Sequence, residues 1–133
     1  MAGRRTSIHV EGLSHGGQPI PNASRVGNLI WSGGVNGLKP GDKGLPDDID
    51  DEATQMFANI EAIVRAGGGT LDDIIRVSVF VRDRTEARDA INAAWVRAFP
   101  DDENRPARHL TEQSLQGGMK VQCEFIAVLD GQP

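Results

Sequence analysis

The sequence has no tyrosine and only one cysteine, and aromatic residues make up 5% of its 133 positions. A single cysteine cannot form a disulfide within the chain, so an oxidising compartment is not expected. No apolar run approaches the roughly 20 residues that a membrane-spanning helix needs. Arg4 and Arg5 are not followed by the apolar segment of a secretory signal. We therefore expect a cytoplasmic protein with no membrane partner.

Positive charge is also scarce. The chain has 14 lysines and arginines against 19 aspartates and glutamates, which gives a formal net charge of -5 at pH 7. An acidic protein has no electrostatic attraction to a phosphate backbone, so nucleic acid is not an expected partner. The hydrophobic fraction of 38% is enough for a core, and the length suits a single domain over residues 1–133.

The spacing of apolar residues predicts the element order β-β-α-β-α-β-β. Ala53, Met56, Ile60 and Ile63 repeat at helical spacing, after an acidic turn and before the glycines at 67–69, which end the first helix. The second helix is predicted at 85–99, and the strands at 6–13, 26–32, 73–82, 105–113 and 119–129. This order is typical of an α+β fold with both helices on one face of a mixed sheet. We expect an oligomer to cover the other face.

Strand alternation also assigns side chains to the two faces of the sheet. Ile75 is predicted to share one face with Val77, Val79 and Val81, and Trp31 is predicted to lie on the face opposite to that of Ser32. Cys123 is predicted to be a small core residue between two apolar neighbours on its strand.

Most side-chain groupings in the sequence support no reaction. The three histidines lack the spacing of a metal site, and no G-x-S-x-G motif is present. Arg105-Pro106-Ala107-Arg108 differs, because two guanidinium groups flank a rigid proline. A guanidinium can hold a carboxylate through two parallel hydrogen bonds. From the spacing alone, the alternative that both arginines pair with surface carboxylates stays open.

Several sequence blocks, taken in order, resemble the RidA/YjgF family of imine and enamine deaminases. The resemblance covers residues 21–129, and residues 1–20 are predicted as an N-terminal strand and loop of the same domain. The blocks are Val26-Gly27-Asn28-Leu29 with Ser32-Gly33, Asn59-Ile60-Glu61-Ala62-Ile63, Leu71-Asp72-Asp73-Ile74-Ile75, Asn92 with Trp95, Arg105-Pro106-Ala107-Arg108, and Val121-Gln122-Cys123-Glu124-Phe125-Ile126-Ala127.

This resemblance implies a chorismate-mutase-like α+β fold and a homotrimer with clefts between subunits. It also implies hydrolysis of small imines or enamines to oxo acids and ammonia, with no metal or organic cofactor. Arg108 matches the arginine that binds the substrate carboxylate. Ser32 and Gly33 match pocket residues of the second strand, and Asn92 matches a helix residue near the pocket.

The sequence departs from the family pattern at two positions. Asn22 stands where the family commonly has tyrosine, and Gln122 stands where it commonly has a glutamate that positions the hydrolytic water. An amide can orient water but cannot accept its proton. Glu124, on the same strand face, and the two histidines His109 and His15 are the predicted substitutes, and a structural role stays open for all three. The substrate is therefore expected to differ from the usual one, with an unsaturated amino acid of the 2-aminomuconate type as one possibility. The alternative is a non-catalytic trimeric module that binds a small carboxylate.

Overall fold

The computed structural model describes residues 4–41 and 43–130. Within these residues there are two α-helices, α1 (Ile49–Ala66) and α2 (Arg84–Ala98), and one 3-10 turn at Leu71–Asp73. The strands are Thr6–Ile8 (β1), Ala23–Val26 (β2), Leu29–Ser32 (β3), Val35–Asn36 (β4), Ile74–Val81 (β5), Ala107–Glu112 (β6) and Val121–Val128 (β7).

The described strands form one mixed sheet in the order β1-β2-β3-β7-β5-β6, and β4 also pairs with β7. All neighbours are antiparallel except β5 and β6, which the crossover helix α2 makes parallel. Both helices cover one face, and the core lies between them and the sheet. The predicted α+β fold is confirmed.

The second predicted strand is in fact a hairpin. Residues 26–32 were expected to form one strand, but β2 and β3 pair through Val26 and Leu29, with Gly27 and Asn28 as the turn. Gly27 has a φ of 58°, a left-handed conformation that glycine adopts without steric cost. A Gly-Asn pair between two apolar runs is a hairpin signal that the sequence contains.

A β-bulge overturns the predicted orientation of Ile75. The register between β5 and β7 shifts between Ile74 and Arg76, which leaves one extra residue on β5. Ile74 is therefore buried in the core, whereas Ile75 is 53% exposed. Val77, Val79 and Val81 are buried as predicted.

A second irregularity lies between β3 and β4. Trp31 pairs with Ile126 and Val35 pairs with Cys123, so the chain from β3 to β4 has one residue more than the facing part of β7. The extra residue returns Val35 to the core face. Gly33 and Gly34 form this interruption, and the two segments on either side of it extend along the same edge of β7.

The face of the sheet away from the helices, called here the open face, carries exposed apolar side chains. Trp31 is 56% exposed, and Leu29 and Val128 are also exposed. Trp31 and the buried Ser32 therefore lie on opposite faces, as alternation predicts. Cys123 points to the covered face and is fully buried, so its prediction as a core residue is confirmed.

Candidate active site

Arg108 lies on the edge strand β6 and is held by two groups of α2. Its Nη2 atom donates a hydrogen bond of 2.8 Å to Oδ1 of Asn92. Its guanidinium carbon lies 5.0 Å from the centroid of the Trp95 ring, within the range of a cation–π contact. Arg108, Asn92 and Trp95 are called here the arginine half-site.

The guanidinium of Arg108 retains a free donor. Its Nη1 atom is buried, and no described residue accepts a hydrogen bond from it. Burial lowers the pKa of Arg108, but an arginine side chain keeps its charge in a protein. A buried cationic donor without a partner is unfavourable, so this atom is suited to bind an anionic oxygen from another molecule.

The rest of this half-site is built by packing. Trp95 is buried and packs with Phe57 and Phe99, whose ring centroids lie 6.0 and 4.8 Å from it. Asp83 caps the start of α2 through a hydrogen bond from the backbone of Glu86, which fixes the helix that carries Asn92 and Trp95. The Trp95 ring is therefore a rigid support for the guanidinium.

Arg105, the other arginine of the motif, has a structural position. Its Nε atom donates a hydrogen bond of 2.7 Å to the carbonyl oxygen of Phe99, just past the end of α2. Cationic donors at this end satisfy free carbonyl groups of a helix. Of the two arginines, only Arg108 has an unpartnered buried donor.

Gln122 lies on β7 at the interruption between β3 and β4. A Cβ atom added to Gly34 would lie 2.8 Å from Nε2 of Gln122, so the amide of Gln122 packs directly against the glycine. On the other side of the same glycine, Nε2 of His15 lies 3.0 Å from the carbonyl oxygen. Gln122, Gly34 and His15 are called here the glutamine half-site.

Ser32 and Gly33 adjoin this half-site but are held by the backbone. The Ser32 hydroxyl accepts a hydrogen bond from the amide of Phe125 at 2.8 Å and donates one to the carbonyl of Gly33. It thereby satisfies a β7 amide where the ladder is interrupted. Gly33 is exposed, and its amide donates to the carbonyl oxygen of Asn22.

Asn22 is buried, and its amide crosslinks the loop between β1 and β2. Its Oδ1 atom accepts from the backbone amide of Val10 at 2.8 Å, and its Nδ2 atom donates to the carbonyl of Leu13 at 2.7 Å. Both ends of the side chain are therefore used in holding the loop, although Asn22 also lines a cavity beside the glutamine half-site.

Glu124 and His109 lie on the open face, at either side of Ser78. Ser78 on β5 pairs with Glu124 on β7 and with His109 on β6. Neighbouring strands are about 4.8 Å apart, so the backbones of the two residues are separated by about 10 Å. Both side chains are exposed.

The structure places the two half-sites on opposite faces of the sheet. Arg108 pairs with Val77, whose side chain lies on the covered face, whereas Gln122 pairs with Phe80 on the other face. Strand β5 also separates β6 from β7. A single chain therefore does not bring Arg108 and Gln122 to one small ligand.

Two features of the site were not predicted as functional from the sequence. Trp95 appears in the sequence only as part of a matched block with Asn92, but in the structure it packs in the aromatic cluster and also supports the guanidinium of Arg108. Gly34 is not among the site residues predicted from the sequence. Its contact with Gln122 depends on the bulge between β3 and β4, for which the sequence offers only the adjacent glycines.

No three histidine, cysteine, aspartate or glutamate side chains among residues 4–41 and 43–130 are grouped so that they could hold a metal ion. In the same part of the chain, neither helix is long and apolar enough to cross a membrane.

Comparison with known proteins places this fold and these motifs in one family. The family model described as endoribonuclease L-PSP matches residues 19–129. A RutC family protein from Haemophilus influenzae is 33% identical over 124 residues, covering 91% of this chain and 95% of that protein. A 2-iminobutanoate/2-iminopropanoate deaminase from Escherichia coli K12 is 34% identical over 113 residues, covering 83% of this chain and 87% of that protein. The chain belongs to this family, which is also called RidA/YjgF, and the predicted resemblance is confirmed.

Solved structures agree with the assignment. The YjgF gene product from E. coli superposes with a TM-score of 0.84 at 30% identity, covering 92% of this chain and 98% of that one. RidA from the Antarctic bacterium Psychrobacter sp. PAMC 21119 has a TM-score of 0.85 at 26% identity, covering 93% of this chain and 99% of that one.

Proposed function

We propose that this protein is a hydrolytic deaminase that converts a small carboxylate-bearing imine or enamine to an oxo acid and ammonia. The observation that carries the proposal is the buried, unpartnered Nη1 atom of Arg108, in a guanidinium already fixed by Asn92 and Trp95. A substrate carboxylate supplies the acceptor that this donor lacks. The name of the E. coli relative, a 2-iminobutanoate/2-iminopropanoate deaminase, supports the same chemistry.

The reaction needs few groups from the protein. Water adds to the carbon of the C=N bond, the resulting carbinolamine loses ammonia, and an oxo acid remains. Arg108 anchors the carboxylate, which fixes the position of the neighbouring carbon. Gln122 orients the water through its amide. Holding the reactants in this geometry replaces a bimolecular encounter, which is a large source of rate acceleration.

The proposed cleft lies between two subunits. Arg108 and Gln122 occupy opposite faces of one sheet, so both can contact one substrate only if they come from neighbouring chains. The exposed apolar side chains of the open face, including Trp31 and Leu29, are suited to be buried against another copy. A homotrimer with three shared clefts satisfies both requirements.

The proposed substrate is an imino acid that binds in a pocket without a tyrosine. The chain contains no tyrosine, so neither a subunit nor an identical neighbour can supply one. An unsaturated amino acid of the 2-aminomuconate type fits this condition. A cytoplasmic location, inferred from the single cysteine, stays a prediction.

The experiment generates imines in place with an amino-acid oxidase and follows ammonia release with and without the protein. Arg108→Ala is expected to lower kcat/KM by at least about a hundredfold, because a charged partner of the carboxylate is lost. Arg65→Ala, which removes an exposed arginine paired with Glu61 on α1, is the control. Full activity of the Arg108 variant contradicts the proposal.

The same experiment separates the enzyme from a binding module. Gln122 favours the module, because an amide cannot take the proton of the water. If the wild-type protein binds an oxo acid by calorimetry but does not accelerate ammonia release from any imine tested, the pocket binds without catalysis.

Nucleic-acid cleavage, which the description of the family model names, is not proposed for this chain. The net charge of -5 works against binding a phosphate backbone. Binding of an RNA that persists at physiological salt would contradict this view.

A further inference from the structure

The side of α2 that meets strand β6 carries three polar side chains at intervals of one helical turn. Arg84, Arg88 and Asn92 are four residues apart, so they lie next to one another along the helix. The first contacts β6 through a hydrogen bond of 3.4 Å from its Nη2 atom to the carbonyl oxygen of Leu110. The last accepts the hydrogen bond of 2.8 Å from Arg108. Arg88 therefore lies between two residues that both contact β6.

Arg88 is exposed, and its guanidinium has no hydrogen bond or ion pair with any residue of 4–41 and 43–130. Its neighbours three and four positions away on the helix have no carboxylate; they are Arg84, Thr85, Ile91 and Asn92. Asp89 is the next residue in the chain, but adjacent residues on a helix do not face each other. The helix itself therefore supplies no anionic partner for Arg88.

This end of α2 has a local excess of positive charge. Two arginines four residues apart on a helix repel each other, and no described carboxylate forms an ion pair with Arg84 or Arg88. Glu112 is bound here, but its Oε1 atom accepts from the backbone amide of Arg84 at 3.0 Å. In a chain with a net charge of -5, unpaired cations beside Arg108 are suited to attract an anionic ligand.

Arg88 is also close to the arginine half-site. Side chains four residues apart on a helix have Cβ atoms about 5–6 Å apart, so Arg88 lies one turn from the amide that holds Arg108. A carboxylate bound at Nη1 of Arg108 can therefore be joined to a second one at Arg88 by a short carbon chain. We propose that Arg88 binds a second carboxylate, so that the imine or enamine substrate is a dicarboxylate. This inference rests on the proposed function and narrows its substrate class.

The role proposed for Arg88 is one of specificity. The second carboxylate does not react, and its contact with Arg88 is the same before and during the addition of water. Such a contact lowers KM and leaves kcat unchanged. One turn on the other side of Asn92, Val96 is 49% exposed. A substrate with an apolar tail would suit Val96 instead, so the experiment must distinguish a charged tail from an apolar one.

Calorimetry with 2-oxoglutarate and 2-oxopentanoate makes this distinction, because the two oxo acids have equal numbers of carbons and only the first has a second carboxylate. We expect the wild-type protein to bind 2-oxoglutarate about tenfold more tightly, as for one charge-assisted hydrogen bond. Arg88→Gln should remove this preference and leave the affinity for 2-oxopentanoate within about twofold. The preference should also decrease at high salt, because exposed charges are screened.

Arg97→Gln is the matched control. It makes the same change of charge on the same helix, but the Nη2 atom of Arg97 donates to the hydroxyl of Thr54 on α1. This variant is expected to keep the preference for 2-oxoglutarate. Steady-state kinetics repeats the contrast with imines made by oxidases from glutamate and from norvaline. Arg88→Gln should raise KM about tenfold for the glutamate imine only, with kcat within about twofold.

Two results would overturn the inference. One is a wild-type protein that binds both oxo acids equally, or an Arg88→Gln protein that keeps the preference for 2-oxoglutarate. The other is an equal loss of affinity for both acids in Arg88→Gln together with a changed sedimentation coefficient, since Arg88 would then support the assembly of subunits. In either case the proposed function stands if ammonia release still depends on Arg108. A wild-type protein that binds neither acid and releases no ammonia from any imine overturns the proposed function as well.

Discussion

The guanidinium carbon of Arg108 lies 5.0 Å from the centroid of the Trp95 ring, while its Nη2 atom is bound to Asn92. Two supports on α2 therefore fix a cation that belongs to a different element, the edge strand β6. Neither support uses Nη1, so the free donor is oriented before any ligand arrives. Preorganisation of this kind reduces the entropy that binding must otherwise overcome.

The first prediction concerns this support. Trp95→Leu removes the ring face beneath the guanidinium, and we expect KM to rise about tenfold, in line with a cation–π contact in a partly buried site. Trp95→Phe retains a ring and should recover most of the affinity. Steady-state kinetics on the imine substrate measures both.

The control for Trp95 is Phe99→Leu, which disturbs the same aromatic cluster without removing the ring under Arg108. Both leucine variants are expected to lower the thermal midpoint. If Phe99→Leu raises KM as much as Trp95→Leu does, the effect is one of packing and the positioning role of Trp95 is wrong.

The second prediction tests whether the cleft is shared. Arg108→Ala and Gln122→Leu, each inactive alone, are unfolded together in equal amounts and refolded. If each cleft combines Arg108 of one chain with Gln122 of its neighbour, about a quarter of the clefts in randomly mixed trimers contain both intact residues. Ammonia release should recover to about that fraction of the wild-type rate.

The two refolded single variants serve as controls for that mixture. If the mixture is no more active than they are, Arg108 and Gln122 of neighbouring chains do not act in one cleft. That outcome contradicts the shared cleft, since every chain in the mixture has one defect.

The third prediction concerns the contact between Gly34 and Gln122. A Cβ atom at residue 34 would lie 2.8 Å from Nε2 of Gln122, so Gly34→Ala must displace the end of that flexible side chain. We expect kcat to fall between about ten- and a hundredfold, because small displacements of an orienting group are costly. Thermal unfolding should change little.

Gly33→Ala is the matched control, since its Cβ atom would meet only carbonyl oxygens at ordinary contact distances of 3.7 and 3.8 Å. It is expected to keep the wild-type kcat. Equal losses in the two alanine variants would mean that the interruption tolerates no side chain and that Gln122 is not the cause.

The fourth prediction concerns Cys123. Burial raises the pKa of its thiol, and the negative charge of Glu124 adds to the effect. The thiolate is the reactive form, so we expect no labelling by a disulfide reagent in the native protein at pH 8 and complete labelling in denaturant. Cys123→Ala should keep its activity. Rapid labelling of the native protein would contradict this prediction.

The same shift predicts how stability depends on pH. Above about pH 8.5 the thiol of the unfolded chain loses its proton, whereas the native protein retains it. The unfolded state then binds fewer protons, so the contribution of Cys123 to the free energy of unfolding falls as the pH rises. Denaturant titrations of the wild type and Cys123→Ala between pH 7 and 10 measure this difference.

Much of the fold follows from periodicity in the sequence. The apolar stripe of α1 and the alternation around Trp31 and Ser32 depend only on local geometry, so the helix and the two faces were predictable. Ile75 shows the limit of this reasoning. An alternating pattern does not reveal an extra residue, because the position of the bulge depends on how β5 pairs with the distant strand β7. Ile75 was therefore predicted to be in the core, although it lies on the surface.

The candidate site was also predictable only in part from the sequence. Arg108 and Asn92 were predicted together from sequence motifs, and the structure places them in contact. The hydrogen bond of Ser32 was not predictable, because its hydroxyl accepts from the amide of Phe125, 93 residues away in the sequence. The proximity of His15 and Gln122 was not predictable either. Both residues contact Gly34, which has no side chain that would indicate a role in the sequence.

The interruption at Gly33 and Gly34 leaves a backbone carbonyl free to bind a side chain, which does not happen where the strands pair regularly. In an uninterrupted β-ladder, each backbone carbonyl that faces the next strand accepts a hydrogen bond from that strand. Such a carbonyl is not available to a side chain. Here the Ser32 hydroxyl takes the place of one backbone acceptor, and the carbonyl of Gly34 is released to fix an imidazole. Because of one inserted residue, a backbone carbonyl of the sheet determines which nitrogen of a histidine carries the proton.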